Sequence, residues 1–432
     1  MNQISLFEKK IKKTKKIPPF TFVDLFSGIG GFRIALNSLG GKAIGFSEVF
    51  QPAIDTYKMN FHTEKEIELG DITSLTSIPY GDIYTGGVPC QSWSVAGKKK
   101  GFDDPRGKLW FDTIRLTAIG KPKVFIYENV KGLADPRNRE SLNLIIQELS
   151  KIGYDVNWKV LNAFDFGLPQ NRERIFIVGF RKDLNVNSFE FPKKYPTLPN
   201  LSSALDGNIV KMVEKLNPVD DMNSFNLSYI HNAGKFYTFC DTRNGSSTIH
   251  SWDLTDTTSE EKEICMAILK NRRKSKYGER DGNPLSINDL KDIIGNIYQS
   301  ELDSLVTKRI LRQIEDKYDF VNSKNSAGIN DIYRVFFPNS HVFSTLTRTG
   351  SKDYIATIPI PENIKNKKIF FINQIYKKKK FRPITVKEAL RIQGFPQTYK
   401  FSVPDRTVMQ LLGNAVAVNI VKEVTKSIFN HL

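Results

Sequence analysis

Short apolar runs alternate with amphipathic stretches through residues 20–180. The runs are rich in Phe, Ile and Val, which is typical of buried strands, and the stretches between them carry apolar residues at helical spacing. Strands are predicted near Thr21–Phe26, Ala43–Ser47, Asp82–Thr85, Val124–Tyr127, Val156–Asn162 and Arg174–Gly179, and helices over Gly31–Leu39, Pro52–Asn60, Lys108–Ile119 and Arg139–Ile152. The alternation predicts a doubly wound α/β sheet of parallel strands and crossover helices, whose ligands bind beyond the carboxyl ends of the strands.

After Arg181 this alternation stops, and Pro, Asn and Ser become frequent. We therefore predict a second, smaller domain over 182–380, with a helical insert near 259–320. In that insert, helices are predicted over Ser259–Asn271 and Ser286–Gln313, and Ser286 followed by Asp289 resembles a helix-capping pair. A basic run, Lys377–Lys380, precedes helices predicted over Thr385–Gln393 and Asn414–Phe429. The first domain is thus expected to comprise 17–181 and 381–432.

The composition indicates a polyanionic partner. The 432 residues include 63 Lys and Arg against 46 Asp and Glu, a net charge of +17, and such an excess favours binding of DNA or RNA phosphates. A solvated lysine-rich surface would have the same composition. Mean hydropathy is −0.34, no apolar run is long enough to span a bilayer, and the basic start leads into Pro-Pro rather than a secretory leader. We expect a cytoplasmic protein.

The three cysteines form no CxxC or Cys/His pattern, so neither a metal site nor a disulfide is expected. Cys90 follows the fourth predicted strand in the segment GGVPCQSWS, at the end of the sheet where ligands bind. This position suits a nucleophile. Cys240 and Cys265 have no polar catalytic residues near them in sequence, and we interpret both as core residues.

A glycine-rich turn, DLFSGIGG, joins the first predicted strand to its helix, and Glu48 closes the next strand. The glycines let the backbone approach a nucleotide-like ligand, and an acid at this position accepts hydrogen bonds from ribose hydroxyls. Arg33 stands where a dinucleotide site has its third glycine, so S-adenosylmethionine, which has no phosphate, fits better than a nicotinamide cofactor. An ordinary glycine-rich turn before a helix remains the alternative.

Two further acids follow predicted strands. Asp71, in Gly70-Asp71-Ile72, is suited to accept from an adenine amino group, although an ordinary turn aspartate has the same appearance. Glu128 follows the fifth strand, an apolar run, where a carboxyl group is suited to deliver a proton near neutral pH. An N-cap or a solvated acid is the alternative for Glu128. Because Cys90 and Glu128 both end strands near the predicted crevice, we expect them to act together.

Seven segments, in order, resemble the bacterial DNA cytosine-5 methyltransferases of restriction-modification systems. They are DLFSGIGGF at 24–32, GDI at 70–72, GGVPCQSWSVAG at 86–97, ENV at 128–130, QNRERIFIVG at 170–179, RPITVKEALRIQGFP at 382–396 and GNAVAVNI at 413–420. They cover the chain except most of 182–380. The resemblance implies a Rossmann-like, S-adenosylmethionine-dependent methyltransferase sheet with a smaller target-recognition domain.

The resemblance also implies a mechanism and its residues. Cys90 would attack C6 of a flipped-out cytosine, and Glu128 would hold and protonate the ring at N3, so that C5 takes the methyl group. Arg174 would contact the cytosine O2, with Arg172 as the nearby alternative, and a structural ion pair with Glu173 or a phosphate contact is the less favoured interpretation of either arginine.

The cofactor, S-adenosylmethionine, would lie among residues that match the family's motifs. These are Phe26, Gly28, Gly30, Glu48, Val49, Asp71, Ile72, Leu109 and Asn414. Phe26 would pack on the adenine, and Asn414 would reach the methionine end. Several relatives have an aromatic residue where this chain has Val49, which argues against an adenine held between two aromatic rings.

The DNA-binding residues are predicted at Gln91, next to Cys90, and in three further places: the basic loop from Ser94 to Arg106, the segment FSTLTRTG at 343–350, and the insert. The loop resembles the family's mobile catalytic loop, 343–350 resembles its Thr-Leu signature, and Ser259–Phe320 is expected to be winged-helix-like. The candidates are Gln91, Ser94, Lys98, Lys99, Lys100, Arg106, Arg272, Arg273, Lys274, Thr345, Thr347 and Arg348. A solvated basic loop or turn is the alternative for the lysine and arginine clusters.

The predicted partner is double-stranded DNA, with a possible genetic link to a restriction endonuclease, no membrane and a monomeric state. Two other functions are compatible with the sequence. A transfer RNA cytosine-5 methyltransferase would use the same chemistry, but the large insert and the Thr-Leu signature favour DNA. A DNA-binding relative without catalysis would be expected to lack Cys90 or Glu128, and both are present.

Overall fold

The computed structural model describes residues 17–89, 105–186, 188–207, 235–243, 245–322, 328–348 and 352–432. The chain forms two compact units: unit 1 comprises residues up to Leu168, Arg172–Thr197 and Gln393–Leu432, and unit 2 comprises Pro169–Asn171 and Leu198–Ile392. Among the described residues, no helix is both long and apolar enough to cross a membrane.

Unit 1 is a seven-stranded sheet with helices. Its strands are β1 Phe20–Leu25, β2 Gly41–Phe46, β3 Ile67–Glu68, β4 Ile83–Gly87, β5 Val124–Val130, β6 Tyr154–Asn162 and β7 Glu173–Arg181. The helices before residue 200 are α1 Gly31–Asn37, α2 Gln51–Asn60, α3 Pro105–Gly120 and α4 Arg139–Lys151. The central strands are nearly continuous apolar runs because both faces of the sheet are covered.

The strand order is β3-β2-β1-β4-β5-β7-β6. Strands β1 to β5 pair in parallel, and the order reverses between β1 and β4, which is where such sheets bind ligands. The prediction that all strands are parallel was wrong for β7, which is antiparallel to both β5 and β6. Pairing with β7 also extends β5 to Val130, so Glu128 lies within the strand rather than after it.

The limits of the units differ from the predicted boundaries at 182 and 381. Residues 188–197 remain with unit 1 because they pack on α12 (Val418–His431): Ser427 donates to the Glu190 carbonyl, and the Tyr195 hydroxyl lies 3.1 Å from Glu423. Helix α10 (Val386–Gln393) belongs largely to unit 2, where Arg391 forms an ion pair with Asp206. A further helix of unit 1, α11 (Asp405–Asn414), was not predicted.

Unit 2 contains a five-stranded sheet in the order β15-β14-β13-β8-β9. Its strands are β8 Phe236–Phe239, β9 Thr248–Ile249, β13 Arg334–Phe336, β14 Asp353–Ala356 and β15 Phe381–Arg382. Two short helical segments accompany it, α5 (Ser251–Leu254) and α9 (Lys367–Phe370), and α9 continues as a π-helical turn over Phe371–Tyr376. Phe239, Val335 and Phe371 belong to its buried core.

The insert has a hydrophobic core of its own, which includes Trp252, Leu290 and Phe320. Its elements are α6 Ser259–Asn271, β10 Leu285–Ser286, α7 Ile287–Ile294, α8 Gln299–Thr307, β11 Leu311–Ile314 and β12 Lys317–Phe320. The strands form an antiparallel sheet in the order β10-β12-β11. The element order is helix-strand-helix-helix-strand-strand, which is the order of a winged helix-turn-helix, and the winged-helix-like character of Ser259–Phe320 stays a prediction.

A single helix over Ser286–Gln313 was a wrong prediction. Gly295, with φ of 86°, ends α7, and Arg309, with φ of 54°, ends the segment after α8, so that 311–314 is a strand. The predicted capping pair is present, since the Ser286 hydroxyl accepts from the Asp289 N–H and the Asp289 carboxylate accepts from the Ser286 N–H.

Candidate active site

The turn after β1 follows a left-handed path through Phe26, Gly28 and Gly30, whose φ values are 51°, 53° and 78°. At Gly30 a Cβ atom would lie 2.5 Å from the Phe61 ring, so only glycine fits. The Ser27 N–H donates to the Ser47 carbonyl over 2.8 Å, which fixes the turn against the end of β2. The predicted glycine-rich loop thus lies beside the residue that precedes Glu48.

Glu48 organises this loop through its carboxylate. Oε2 accepts from the Gly28 N–H at 2.9 Å, and Oε1 accepts from the N–H groups of Val49 and Phe50 at 2.8 and 2.9 Å. A carboxylate has about four acceptor positions, so these bonds leave capacity for a ligand hydroxyl. The Val49 side chain is 68% exposed.

Other predicted cofactor residues lie around the same edge of the sheet. The Ser47 hydroxyl donates to the Gly70 carbonyl at 2.5 Å, which places the turn containing exposed Asp71 beside Glu48. Ile72 is buried, and Phe26 and Leu109 are half-buried against the same hydrophobic cluster. These contacts bring the predicted adenosine-binding residues together.

Asn414, at the end of α11, is exposed. The residues next to it are held by contacts with Gly31 and with Arg172. Val416 packs so closely on Gly31 that a Cβ there would lie 2.8 Å from Val416 Cγ1. Arg172 is 2% exposed and donates to the carbonyls of Gly413 and Ala415 at 3.1 and 2.8 Å. Arg172 therefore supports the Asn414 segment, and its proposed alternative role as the cytosine O2 contact is corrected: its guanidinium is used inside the protein.

Glu128 and Arg174 form the central ion pair of the site. Arg174 Nε lies 3.0 Å from Glu128 Oε1, and the side chains are 15% and 12% exposed. Glu128 pairs with Phe176, and Val130 with Arg174, so the two side chains are diagonal neighbours on one face of the antiparallel β5–β7 ladder. Among the described residues, Arg174 forms no ion pair with the Glu173 carboxylate, which binds Lys131; Arg174 instead donates from Nη1 to the Glu173 backbone carbonyl at 2.8 Å. The direction of β7, which the sequence did not reveal, makes this pair possible.

Glu128 also lies beside the segment that leads to Cys90. Its Oε2 is 3.7 Å from the place that a Cβ of Gly87 would occupy. The next residue, Asn129, is buried and donates from Nδ2 to the Val88 carbonyl at 3.1 Å. Sequence reasoning assigned no role to Asn129, although it stands in the ENV segment. The candidates at 90, 91, 94 and 98–100 lie outside the described residues, and Arg106 belongs to the first turn of α3.

Asp24 is a second buried acid that sequence reasoning left without a role. Its Oδ1 accepts from the Thr85 hydroxyl at 2.8 Å, whereas Oδ2 has no hydrogen-bond partner among the described residues. Burial raises the pKa of Asp24 to about 7, although the hydrogen bond from Thr85 lowers it. The Asp24 carboxyl group, whose pKa is about 7, is therefore mostly neutral at pH values below 7.

The predicted DNA-binding residues of unit 2 differ in availability. Thr345 is half-buried and donates to the Asn171 carbonyl, while Thr347 and Arg348 are exposed. Arg273, 51% exposed, forms an ion pair with Asp281, and Lys274 is exposed.

Arg272 is a correction to the prediction. Its side chain is 2% exposed, forms an ion pair with Asp319 at 3.0 Å and lies over the Phe320 ring, so it stabilises the insert rather than contacting DNA. Cys240 and Cys265 are buried, as expected for core residues. No group of three or more acidic, Cys or His side chains suitable for a metal ion occurs in the described ranges.

Comparison with known proteins assigns the chain to a family. A family model for C-5 cytosine-specific DNA methylases matches residues 20–430. The chain is 44% identical over 422 residues to the type II methyltransferase M.HgiBI of Herpetosiphon aurantiacus, covering 95% of this chain and 96% of that protein. It is 35% identical over 457 residues to M.NlaIV of Neisseria lactamica, covering 95% and 99%.

Two solved structures share the fold. One is a putative DNA modification methyltransferase of an Escherichia coli prophage, with a TM-score of 0.51 and 23% identity over 95% of this chain and 98% of that one. The other is Spodoptera frugiperda DNMT2, with a TM-score of 0.52 and 17% identity over 95% and 99%. The predicted fold class and the resemblance drawn from seven motifs are confirmed. This chain belongs to the C-5 cytosine-specific DNA methylase family.

Proposed function

We propose that this enzyme methylates C5 of a cytosine within a specific duplex DNA sequence, using S-adenosylmethionine and a covalent adduct through Cys90. The observation that carries the proposal is the Glu128–Arg174 pair, held at 3.0 Å beside the Gly87–Val88 segment that leads into Cys90. The target carbon is stacked inside a duplex, so the base is flipped into the site at a cost of a few kcal/mol.

In the proposed reaction, the Cys90 thiolate forms a bond to C6 of the cytosine while Glu128 supplies a proton to N3. The electrons of the C5–C6 double bond then make C5 nucleophilic. After C5 has taken the methyl group, the C5 proton passes to a base as the C6–sulfur bond to Cys90 breaks, the N3 proton returns to Glu128, and the aromatic ring is restored. Arg174 orients the Glu128 carboxyl and stabilises negative charge on the cytosine O2.

The residues around Glu48 fit S-adenosylmethionine, which supplies the electrophilic methyl group when bound. Glu48 retains acceptor capacity after its three backbone hydrogen bonds and would hold the ribose hydroxyls. Asp71 would accept from the adenine amino group, Phe26 would pack on the adenine, and Asn414 would bind the methionine end. The left-handed backbone at Gly28 and Gly30 keeps side chains out of this space.

Methyl-labelled S-adenosylmethionine with duplex DNA, and separately with transfer RNA, tests the proposal. Label should appear in DNA 5-methylcytosine with the wild-type protein and be absent with Cys90→Ser. Cys240→Ala removes a buried cysteine outside the site and is the matched control, expected to retain activity. Label in RNA alone would replace DNA by RNA as substrate. DNA binding without any label would leave the non-catalytic alternative.

A duplex with 5-fluorocytosine at the target tests the covalent step. Fluorine cannot leave C5 as a proton does, so the Cys90–C6 bond should persist after denaturation. No retained complex with an otherwise active enzyme would contradict the adduct.

We also propose that the enzyme is part of a restriction-modification pair, because its relatives are named type II methyltransferases, and that it acts as a monomer. Mapping the methylated positions defines the recognised sequence. An endonuclease that cuts this sequence should then fail to cut methylated DNA, and light scattering should give the mass of one chain. Exposed Lys274, Thr347 and Arg348 are candidates for DNA contacts in unit 2.

A further inference from the structure

The basic charge of unit 2 is unevenly distributed. Residues 365–380 contain seven lysines and no acidic residue, whereas the winged-helix insert, 259–320, contains twelve basic and twelve acidic residues. The insert is therefore electrically balanced, and its Arg272 and Arg273 are used in internal ion pairs. The uncompensated charge lies in the segment that precedes β15.

This segment is anchored firmly on the five-stranded sheet. Phe371, Ile372 and Ile375, in the π-helical turn after α9, are buried in the core of unit 2. The Phe371 ring packs 4.4 Å from that of Tyr237. The four lysines that follow, Lys377–Lys380, are all exposed, and we refer to them as the lysine turn. A rigid base thus presents four consecutive cationic side chains to solvent.

The backbone of the lysine turn is one that normally requires glycine. Lys379 has φ of 52°, and the N–H groups of Lys380 and Lys379 close the helical segment on the carbonyls of Ile375 and Tyr376 at 2.8 and 3.0 Å. Helices commonly end in this way with glycine in the left-handed position. A lysine there retains a conformational cost, and such a cost often marks a functional position.

The lysine turn also differs from neighbouring basic residues in its lack of ion pairs with described acidic side chains. Lys368 binds Asp253 at 2.7 Å, Lys352 binds Asp331 at 2.8 Å, and Arg382 binds Glu388 at 2.6 Å. No acidic side chain pairs with any of the four lysines among the residues that the structure describes. Their ammonium groups are therefore available to an external anion.

We infer that the lysine turn binds the phosphates of duplex DNA without reading its sequence. The inference rests on the proposed function, in which duplex DNA is the substrate. Lysine is a strongly hydrated point charge that suits phosphate contacts, while base recognition depends on directed hydrogen bonds such as those of arginine. The lysine turn would therefore contribute affinity and leave the choice of sequence to other residues.

The test compares two variants of equal net charge. Lys377, Lys378, Lys379 and Lys380 are changed to Gln in one, and exposed Lys262, Lys270, Lys291 and Lys317 of the insert are changed to Gln in the control. Binding to a duplex is measured across a salt series. Each phosphate contact contributes about 0.9 to the magnitude of the slope of log K against log salt concentration. In the lysine-turn variant the magnitude of this slope should fall by roughly 2 to 3.6. The variant should also bind DNA at least about tenfold more weakly than the wild type.

The control variant should keep a slope near that of the wild type, and both variants should keep the methylated sequence. Equal slopes in the two quadruple variants, or a changed methylated sequence in the lysine-turn variant, would overturn the inference. Failure of the wild-type enzyme to label DNA would instead overturn the proposed function. Labelling by the wild type with an unchanged salt slope in the lysine-turn variant overturns the inference alone.

Lys379→Gly provides a second, independent readout. Glycine relieves the left-handed backbone, so the melting temperature should rise while the salt slope falls by about 0.9. A purely structural lysine would give the higher melting temperature with unchanged DNA binding, and that result would remove Lys379 from the phosphate contacts.

Discussion

Arg174 is placed to act on Glu128 and on the base that Glu128 is proposed to hold. The guanidinium lies 3.0 Å from the carboxylate, and both groups are largely shielded from water, which strengthens their interaction. Arg174→Ala should lower kcat by about 10²- to 10³-fold, the usual effect of removing one group that stabilises developing charge. Arg174→Lys keeps the charge without the fork of donors, and an intermediate loss is expected. Single-turnover methylation measures both.

Arg181→Ala is the matched control, because Arg181 lies at the other end of the same strand and pairs with exposed Asp183. It should retain kcat. Both alanine variants are expected to keep their affinity for S-adenosylmethionine. An Arg174→Ala enzyme with wild-type kcat would show that the pair is only structural.

Asp24 should make stability depend on pH. Its pKa is about 7 in the folded protein, against an ordinary value of 3.8. Between these two pKa values, Asp24 is protonated in the folded state and ionised in the unfolded state. The free energy of unfolding therefore falls as pH rises, by at most about 1.4 kcal/mol per pH unit. Asp24→Asn can still accept from Thr85 but does not titrate. Its stability relative to the wild type should increase from pH 5 to 7 and stay constant above.

Urea unfolding from pH 5 to 8 measures this difference, and Asp82→Asn is the control. The pKa of Asp82 is lowered, despite partial burial, by hydrogen bonds from Thr21 and Lys123. The stability that ionised Asp82 contributes is fully present above the pKa that Asp82 has in the unfolded state, and it is lost only at lower pH. Asp82→Asn should therefore lower the free energy of unfolding by the same amount at every pH from 5 to 8. Parallel curves for wild type and Asp24→Asn would rule out a titrating Asp24.

At the scale of elements, strands with both faces buried are recognisable in sequence, but their directions are not. Parallel and antiparallel central strands share the same apolar pattern, so the position of β7 beside β5 depends on packing that no local signal records. The Glu128–Arg174 pair follows from that direction and was not predicted: the family resemblance named the two residues but gave them separate roles. The glycine at position 295 could have predicted the end of α7, because glycine commonly ends helices. Arg309 also adopts a left-handed conformation, but an arginine does not predict one.

Motifs selected candidate site residues whose roles stay predictions, whereas charge clusters were poor guides. Glu48 accepts from the Gly28 N–H, the carbonyls on either side of Asn414 accept from Arg172, and Glu128 lies within β5. Arg272 was selected for its basic neighbours, yet it is buried against Asp319. Sequence shows which side chains are charged, and only the fold shows which charges are already paired.

The segment from Gly413 to Ala415 depends on Arg172 for its position. Arg172 donates to both terminal carbonyls, and Asn414 lies between them. Arg172→Lys keeps a charge but loses the planar guanidinium whose Nη2 donates to both carbonyls, and an unsatisfied buried carbonyl costs about 1–3 kcal/mol. We expect that loss in stability together with weaker S-adenosylmethionine binding, measured by urea unfolding and calorimetry. Exposed Arg139→Lys should change neither. Unchanged cofactor affinity in Arg172→Lys would separate this segment from the cofactor.

At the scale of the whole molecule, the two units have separate cores and separate tryptophans. Trp110, fully buried, belongs to the core of unit 1. Trp252, 4% exposed, belongs to the core of the insert in unit 2. The chain has only two others, Trp93 and Trp158. Phe at three of the four positions therefore gives a protein whose fluorescence reports on one unit.

These reporters test whether the cofactor acts on unit 1 alone. All the residues proposed to bind S-adenosylmethionine belong to unit 1, and a ligand stabilises the folded unit that binds it, by about 2.7 kcal/mol at 100 times its Kd. The unfolding midpoint reported by Trp110 should therefore rise more than that reported by Trp252. Glu48→Gln should abolish the rise, whereas Arg174→Ala, which keeps the cofactor residues, should retain it. Equal shifts from both tryptophans would mean that the units unfold together or that unit 2 also binds the cofactor, and either result contradicts the assignment of independent stability to unit 1.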